Sequence, residues 1–351
     1  MGENESRERI EEGALSRREF LDGRKVVAGA ALVGLLPIPG LTQAPADPPG
    51  SGDAVAGPAG PLPRRKLGRT GAEVSVLGLG TATMGEGPQD VEECASVFAA
   101  AIDRGISYVD TARIYGDAET ALGRILKTRR DKIFLVTKSM TDTREEAQKS
   151  FEQSLRELAV DHVDLLHLHS CGDRDLDKVL GPGGAWEYLL EQKKKGTARF
   201  LGITGHNRPE KFLRMLGTDQ VDVMMVAMNF VDRHTYNFEE TVLPEARKRG
   251  VGIMAMKVFG GIQGGFKFNR MKRPSQMDPI YLQIAVRYAL SLEGVTGAVI
   301  GIQDVGELEQ NIRYALGGPP LSEPELAALE SHGKRIAKEW GPRFGPVSAN
   351  A

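Results

Sequence analysis

The sequence predicts an α/β chain whose eight parallel strands close into a (β/α)8 TIM barrel, with a β-hairpin before it and one extra helix after it. Three observations lead there. Short apolar runs recur near residues 76–80, 107–109, 133–137, 163–169, 199–203, 223–228, 253–256 and 298–300. Segments with helical spacing separate these runs, and such alternation builds a parallel sheet, which eight strands can close. An open doubly wound sheet should instead carry a G-x-G-x-x-G turn after its first strand, yet Gly78-Leu79-Gly80 runs into Thr81, Ala82 and Thr83.

Each element follows in order from the amino terminus. Residues 1–46 read as an address: S-R-R-E-F-L at 16–21 precedes an apolar run at 26–36 marked by Pro37 and Pro39. That run is shorter than the ~20 apolar residues a membrane-crossing helix needs, so it reads as the core of a signal peptide. The hexamer resembles a twin-arginine signal, which predicts passage through the Tat translocation machinery to the periplasm or another extracytoplasmic space. Ala44-Pro45-Ala46 offers a cleavage point after Ala46, and an uncleaved anchor is the alternative. Residues 47–63 are mostly Pro, Gly, Ala and Ser with little to bury, the composition of a disordered linker. The barrel is expected over 64–341, with a tail at 342–351. Within it, runs at 64–67 and 73–77 flank Gly68-Arg69-Thr70-Gly71 as a hairpin. Val91, Cys94, Ala95, Phe98 and Ile102 give the first outer helix one buried stripe, and residues 323–338 form a last helix outside the ring.

Bulk properties narrow the function. The 351 residues carry 45 basic and 47 acidic side chains, a formal net charge of -2. Nothing in that balance favours a phosphate backbone, so nucleic acid is not an expected partner. Two cysteines, Cys94 and Cys171, make no disulfide framework.

In a barrel the carboxyl-terminal strand ends converge on one open face, and polar residues there are candidates for chemistry. Asp110 and Tyr115 lie in V-D-T-A-R-I-Y-G after the second strand, Lys138 ends F-L-V-T-K after the third, and His169 ends V-D-L-L-H-L-H after the fourth. Singly, each has a structural reading: a helix cap, a half-buried aromatic, a solvated lysine, a satisfied core histidine. Together at consecutive strand ends they make a coherent set. A cation held against a phenol favours phenolate, so Lys138 is expected to lower the Tyr115 pKa, with Asp110 keeping the ammonium charged and aimed. Tyr115 would then protonate the alkoxide left by hydride delivery to a carbonyl, while His169 orients the oxygen. Hydride requires an organic carrier.

These motifs, with L-G-I-T-G at 201–205 and G-x9-N from Gly301 to Asn311, resemble the aldo-keto reductase family over roughly residues 64–320. The resemblance implies an NADPH- or NADH-dependent reductase of a small carbonyl substrate, with Asp110, Tyr115, Lys138 and His169 as its catalytic set. It also implies that Thr204 touches the carboxamide, that Gly260 and Gly261 let backbone approach the diphosphate, and that residues 301–311, Gln303 among them, enclose the adenosine end. Thr81, Met225, Met256 and Lys257 fall among the cofactor-contacting positions. A helix starting near Asp304 would aim free N–H groups at a phosphate.

Departures from the family pattern are specific. Met225 replaces a glutamine under the carboxamide, Met256 replaces an aromatic that stacks on the nicotinamide, and Gly205 replaces an asparagine. Glu307 stands where members preferring the phosphorylated cofactor carry arginine, and a carboxylate there would repel a 2′-phosphate. Two rival readings remain at this level: a cofactor-binding sensor or subunit without turnover, and a metal-dependent hydrolase using His167 and His169 from one strand face. Cys171 reads as a structural cysteine. The loops at 172–184 and 263–277 carry no legible substrate code, and Lys267, Arg270, Lys272 and Arg273 read as a solvated face.

Overall fold

A computed structural model describes residues 60–264, 271, 274–318 and 320–348. The expected signal at 1–46, the linker up to residue 59, and Lys267, Arg270, Lys272 and Arg273 lie outside the described residues. Strands β1 (Arg64–Lys66) and β2 (Glu73–Ser75) pair antiparallel, Arg64 opposite Ser75, as the hairpin pattern predicts. Their turn seals the bottom of the barrel. Gly68 adopts φ 47°, and a Cβ there would lie 2.3 Å from the backbone nitrogen of Gly252, so only glycine lets the hairpin approach this closely. Leu67 beside it is fully buried in the barrel interior.

The barrel strands are β3 (Leu77–Gly80), β4 (Tyr108–Asp110), β5 (Phe134–Ser139), β6 (Val163–Leu168), β7 (Ala198–Gly205), β8 (Val223–Ala227), β9 (Gly252–Met256) and β10 (Val295–Gly301). Every neighbouring pair is parallel, and β10 closes on β3 with Ala298 opposite Leu77. Large and small residues alternate between strands inside. Tyr108, Phe134 and Phe200 stack in a row with ring centres 5.8 and 6.1 Å apart, and a Cβ on Gly78 would lie 3.2 Å from the Tyr108 ring. His167 fills the space left by Gly202, whose added Cβ would fall 2.3 Å from its ring. Such interlocking gives the interior the density of an organic solid.

Helices follow the barrel strands: α1 (Val91–Asp103), α2 (Ala118–Arg129), α3 (Arg144–Leu158), α4 (Ala185–Lys195), α5 (Pro209–Leu216), α6 (Leu243–Lys248), α7 (Leu282–Ser291) and α8 (Val305–Leu316). The α1 stripe is buried through Cys94, Ala95, Phe98 and Ile102, and Asp90 with Glu93 forms its capping box. Helix α9 (Glu323–Trp340) lies outside the ring and starts at a second box, Ser322 with Glu325. It runs two residues past the expected end, which brings Trp340 to the barrel mouth. Residues 342–345, set apart as tail by their composition, pack across that mouth. Among the described residues no helix is long and apolar enough to cross a membrane.

Candidate active site

Strands β4, β5 and β6 deliver three of the four expected residues to the same rim. Asp110 ends β4, Lys138 is an inward position of β5 in register with His167, and His169 follows β6 by one residue. Tyr115 stands on the loop after β4. Lys138 Nζ donates to Asp110 Oδ2 at 2.7 Å, to the Thr111 carbonyl at 2.8 Å and to Tyr115 Oη at 3.1 Å. His169 Nε2 lies 3.5 Å from the same phenol oxygen. All four residues therefore meet around one atom, Tyr115 Oη, and its lysine neighbour.

Burial dominates the electrostatics. It pulls the Lys138 ammonium down, but Asp110 and Tyr115 together outweigh it and hold the ammonium above its ordinary range. Burial pushes the Asp110 carboxyl up and Lys138 draws it back, so the two act as one coupled unit. The Tyr115 phenol is pushed up by burial, and the pull of Lys138 offsets only part of that. The net shift is opposite to the one expected from the Lys138 neighbour alone. Desolvation penalises phenolate more than one ammonium already shared with Asp110 favours it. Burial and then Lys138 hold His169 well below its ordinary value, so the imidazole is neutral.

Beside this cluster opens a cavity of about 540 Å³. Asp110, Tyr115, Met225, Met256, Lys257, Gly260, Gly261, Gly301, Gln303 and Asn311 all line it. Lys138 and His169, both in contact with Tyr115, are not part of the lining. Thr81 and Thr204 also stand outside it: Thr81 donates through its hydroxyl to the Asp110 carbonyl at 3.1 Å, and Thr204 is fully buried beside the Ser170 amide. Burial pulls the Lys257 ammonium down to about 8.

At the far end of the cavity α8 begins, and carboxylates occupy its amino terminus. Asp304 accepts from the Glu307 amide at 2.8 Å, and Glu307 accepts from the Gln303 amide, also at 2.8 Å. One amide of the helix start expected to face a phosphate, that of Glu307, is thus already hydrogen-bonded, as is the preceding Gln303 amide, and Glu307 itself lines the cavity.

A model of the aldo/keto reductase family matches residues 76–279. The chain belongs to the aldo/keto reductase family. Its L-galactose dehydrogenase relative from Arabidopsis thaliana is 25% identical over 279 residues, 71% of this chain and 86% of that protein. Methylglyoxal reductase of Escherichia coli (strain K12) is 26% identical over 282 residues, 76% of this chain and 94% of that protein. The crystal structure of a putative aldo-keto reductase from Pseudomonas aeruginosa superposes with a TM-score of 0.57 at 28% identity, covering 72% of this chain and 94% of that one. This aldo/keto reductase is accordingly an oxidoreductase that uses NADPH or NADH in carbonyl reduction.

The reductase also has cavity residues that its sequence concealed. Trp340, Arg343 and Phe344 line the wall facing the Lys257 turn. The only sequence signal was an aromatic and a cation in W-G-P-R-F-G, beyond a helix that otherwise ends in polar residues. Gly260 acquires a structural reason as well, since a Cβ on it would lie 2.5 Å from the Trp340 ring. His167 lies in β6 and His169 just beyond its end, but among the described residues no group of three metal-binding side chains assembles. Cys171 is fully buried, and burial pushes its thiol up to about 12, which makes it inert at neutral pH.

Proposed function

We propose that this aldo/keto reductase reduces a small aldehyde or ketone with Tyr115 as the general acid and Asp110, Lys138 and His169 completing the catalytic set. One observation carries the reading: a buried ammonium bridges a carboxylate at 2.7 Å and a phenol at 3.1 Å at the edge of a cavity. The cavity suits an elongated dinucleotide with its reactive end beside Tyr115. Its lining runs from Tyr115 past the methionines Met225 and Met256 to polar groups on Gln303, just before α8, and on Asn311 within that helix. Those residues, with Lys257 and Gly301, would hold NADH or NADPH, which supplies the hydride when bound.

The chain's own part is the proton. Burial keeps Tyr115 protonated at rest, so it is a donor throughout the neutral range. As negative charge develops on a substrate oxygen placed against Tyr115 Oη, the phenol gives its proton to that oxygen. The ammonium 3.1 Å away stabilises the phenolate left behind. Neutral His169, whose Nε2 lies 3.5 Å from Tyr115 Oη, would orient the substrate oxygen placed there. Asp110 holds the ammonium in place.

Glu307 favours NADH over NADPH in this reading, because its carboxylate lines the cavity where a 2′-phosphate would add charge. The twin-arginine hexamer at 16–21 supports export through the Tat machinery to an extracytoplasmic site. Replacing Tyr115 by phenylalanine tests the chemistry. Reduction of an aldehyde panel with NADH and NADPH should fall ~10²–10⁴-fold while nucleotide binding persists. Equal rates in the parent and Tyr115→Phe would remove Tyr115 from the mechanism, and a parent that binds nucleotide without any turnover would favour the sensor reading.

A further inference from the structure

The carboxyl-terminal wall of the cavity and the Lys257–Gly261 turn grip each other through one side chain. Arg343 donates through Nη1 and Nη2 to the two oxygens of Asp232, at 2.8 and 2.7 Å. Its Nη2 and Nε also reach the Gly260 carbonyl, at 2.8 and 3.3 Å. The guanidinium lies 4.0 Å from the Trp340 ring centre and 4.3 Å from that of Phe344, a planar cation between aromatic neighbours. Asp232, 2% exposed, accepts a further bond from Asn229 Nδ2 at 2.6 Å. The same amide donates to the Lys257 carbonyl at 2.9 Å. Both ends of the turn are therefore tied to Arg343, Gly260 directly and Lys257 through Asp232 and Asn229.

This turn needs to be held. Lys257, Gly260 and Gly261 have φ of 54°, 73° and 84°, and the left-handed region that suits glycine is strained for a lysine. A side chain persists there only when its surroundings over-determine it. Here the Gly260 amide donates to the Lys257 carbonyl at 2.7 Å, alongside Asn229. The grip is itself anchored: Tyr236 Oη accepts from the Phe344 amide, and Asn207 Nδ2 donates to the Phe344 carbonyl, both at 2.8 Å.

We propose that Arg343 is a positioning residue for nucleotide binding, holding the 257–261 turn in its left-handed shape so that Lys257 and the two glycines meet the dinucleotide already ordered. The inference rests on the reading that this cavity takes NADH or NADPH. A turn released from Arg343 must be ordered each time nucleotide binds, and that cost appears as lost affinity.

Arg343→Met alone would strand a buried Asp232 carboxylate, so the test variant pairs it with Asp232→Asn, and Arg343→Lys serves as the conservative replacement. Full-length proteins are titrated with NADH and NADPH by quenching of intrinsic fluorescence, with dissociation followed by stopped flow. The double variant should bind roughly tenfold more weakly, mainly through faster release, with Arg343→Lys in between. KM for nucleotide should rise in step with Kd, while kcat at saturation falls less than KM rises. Circular dichroism reports whether each variant is folded. An unchanged Kd in the folded double variant overturns the proposal, as does a fall in kcat with affinity intact. Should the double variant not fold, Phe344→Ala removes one face of the stack and is measured the same way, an unchanged Kd again overturning the proposal. A parent that binds neither nucleotide would overturn the cavity reading as well, whereas normal parental binding with unaffected variants overturns the positioning role alone.

Discussion

Lys138→Met keeps most of the side-chain volume and removes the ammonium, so it isolates the electrostatics of the site. The ammonium makes three contacts, to Asp110, the Thr111 carbonyl and Tyr115, at 2.7, 2.8 and 3.1 Å. Without it the Asp110 carboxylate, whose Oδ1 has no hydrogen-bond partner among the described residues, loses the partner of Oδ2 too. Breaking a buried pair from one side costs ~3–5 kcal/mol. Against a total stability of ~5–15 kcal/mol that is a large fraction, and the urea midpoint should fall visibly. The cost should be pH-dependent. Burial already pushes the Asp110 carboxyl up, and losing Lys138 pushes it further, so the penalty is full above the folded-state value and shrinks as pH falls through it and the carboxyl takes a proton. Asp110→Asn added to Lys138→Met removes the stranded charge and should restore most of the loss. Urea unfolding at neutral pH, read by Trp186 and Trp340 fluorescence, closes the double-mutant cycle, with an expected coupling of ~2–3 kcal/mol. Carbonyl reduction by Lys138→Met should drop by ~10²–10³, because the phenolate formed by Tyr115 loses its neighbouring cation. A coupling below ~0.5 kcal/mol would refute the ion-pair account, since independent groups add within that margin.

Glu307→Arg should raise the ratio of kcat/KM for NADPH to that for NADH by roughly tenfold, and an unmoved ratio would place the adenosine end away from α8. Glu239, with a side chain 6% exposed, has its carboxyl pushed by burial up to about 7 although Tyr288 donates to it at 2.6 Å. The folded state therefore holds this proton more tightly than the unfolded chain, and stability falls as pH rises from ~4.5 to about 7 and stays lower above it. Glu239→Gln should flatten that fall, gaining up to ~3 kcal/mol over the parent at pH 8 and nothing at pH 4.5; melting temperatures at the two pH values decide, and equal gains at both would contradict the burial argument. Replacing Arg17 and Arg18 by lysine should keep the protein in the cytoplasmic fraction, and unchanged partitioning would dispose of the twin-arginine reading.

The barrel was legible because its signals are local and repeated. An apolar run marks a strand wherever it stands, and the expected and observed barrel strands differ by a residue or two at their ends, except that β10 starts three residues earlier than expected. Asp110, Lys138 and His169 were legible for a related reason, since the end of a strand can be located from the strand itself and the fold sends all such ends to one rim. The sign of the Tyr115 shift was not legible. Its cation sits 23 residues away and could be named from the motif, but its burial sums contributions from several elements that no motif spells out. The wall built by Arg343 was hidden more completely. Its partners Asp232 and Gly260 lie 111 and 83 residues earlier, and a short segment with two glycines and a proline around one arginine reads as a tail until those partners are in place.

The two halves of the mouth come from different stretches of chain, and that division has a functional consequence. The proposed proton chemistry belongs to residues 108–169, from β4 to just past β6, whose contacts run between strand ends and the loop that carries Tyr115. The cavity wall around Lys257 is built by the loops after β8 and β9 and by the carboxyl terminus, joined through Asp232 and Arg343. None of the hydrogen bonds described above joins the two groups of residues, and Lys257 acts on Asp110 through charge. Perturbations of the first should therefore act on the chemical step and those of the second on nucleotide affinity. A variant pair drawn from the two, such as Tyr115→Phe with Arg343→Lys, should show free-energy effects that add, because none of the hydrogen bonds described above runs between Tyr115 and Arg343. Strong coupling between them would mean that the phenol and the wall are braced by one network, and the separation drawn from their contacts would fail.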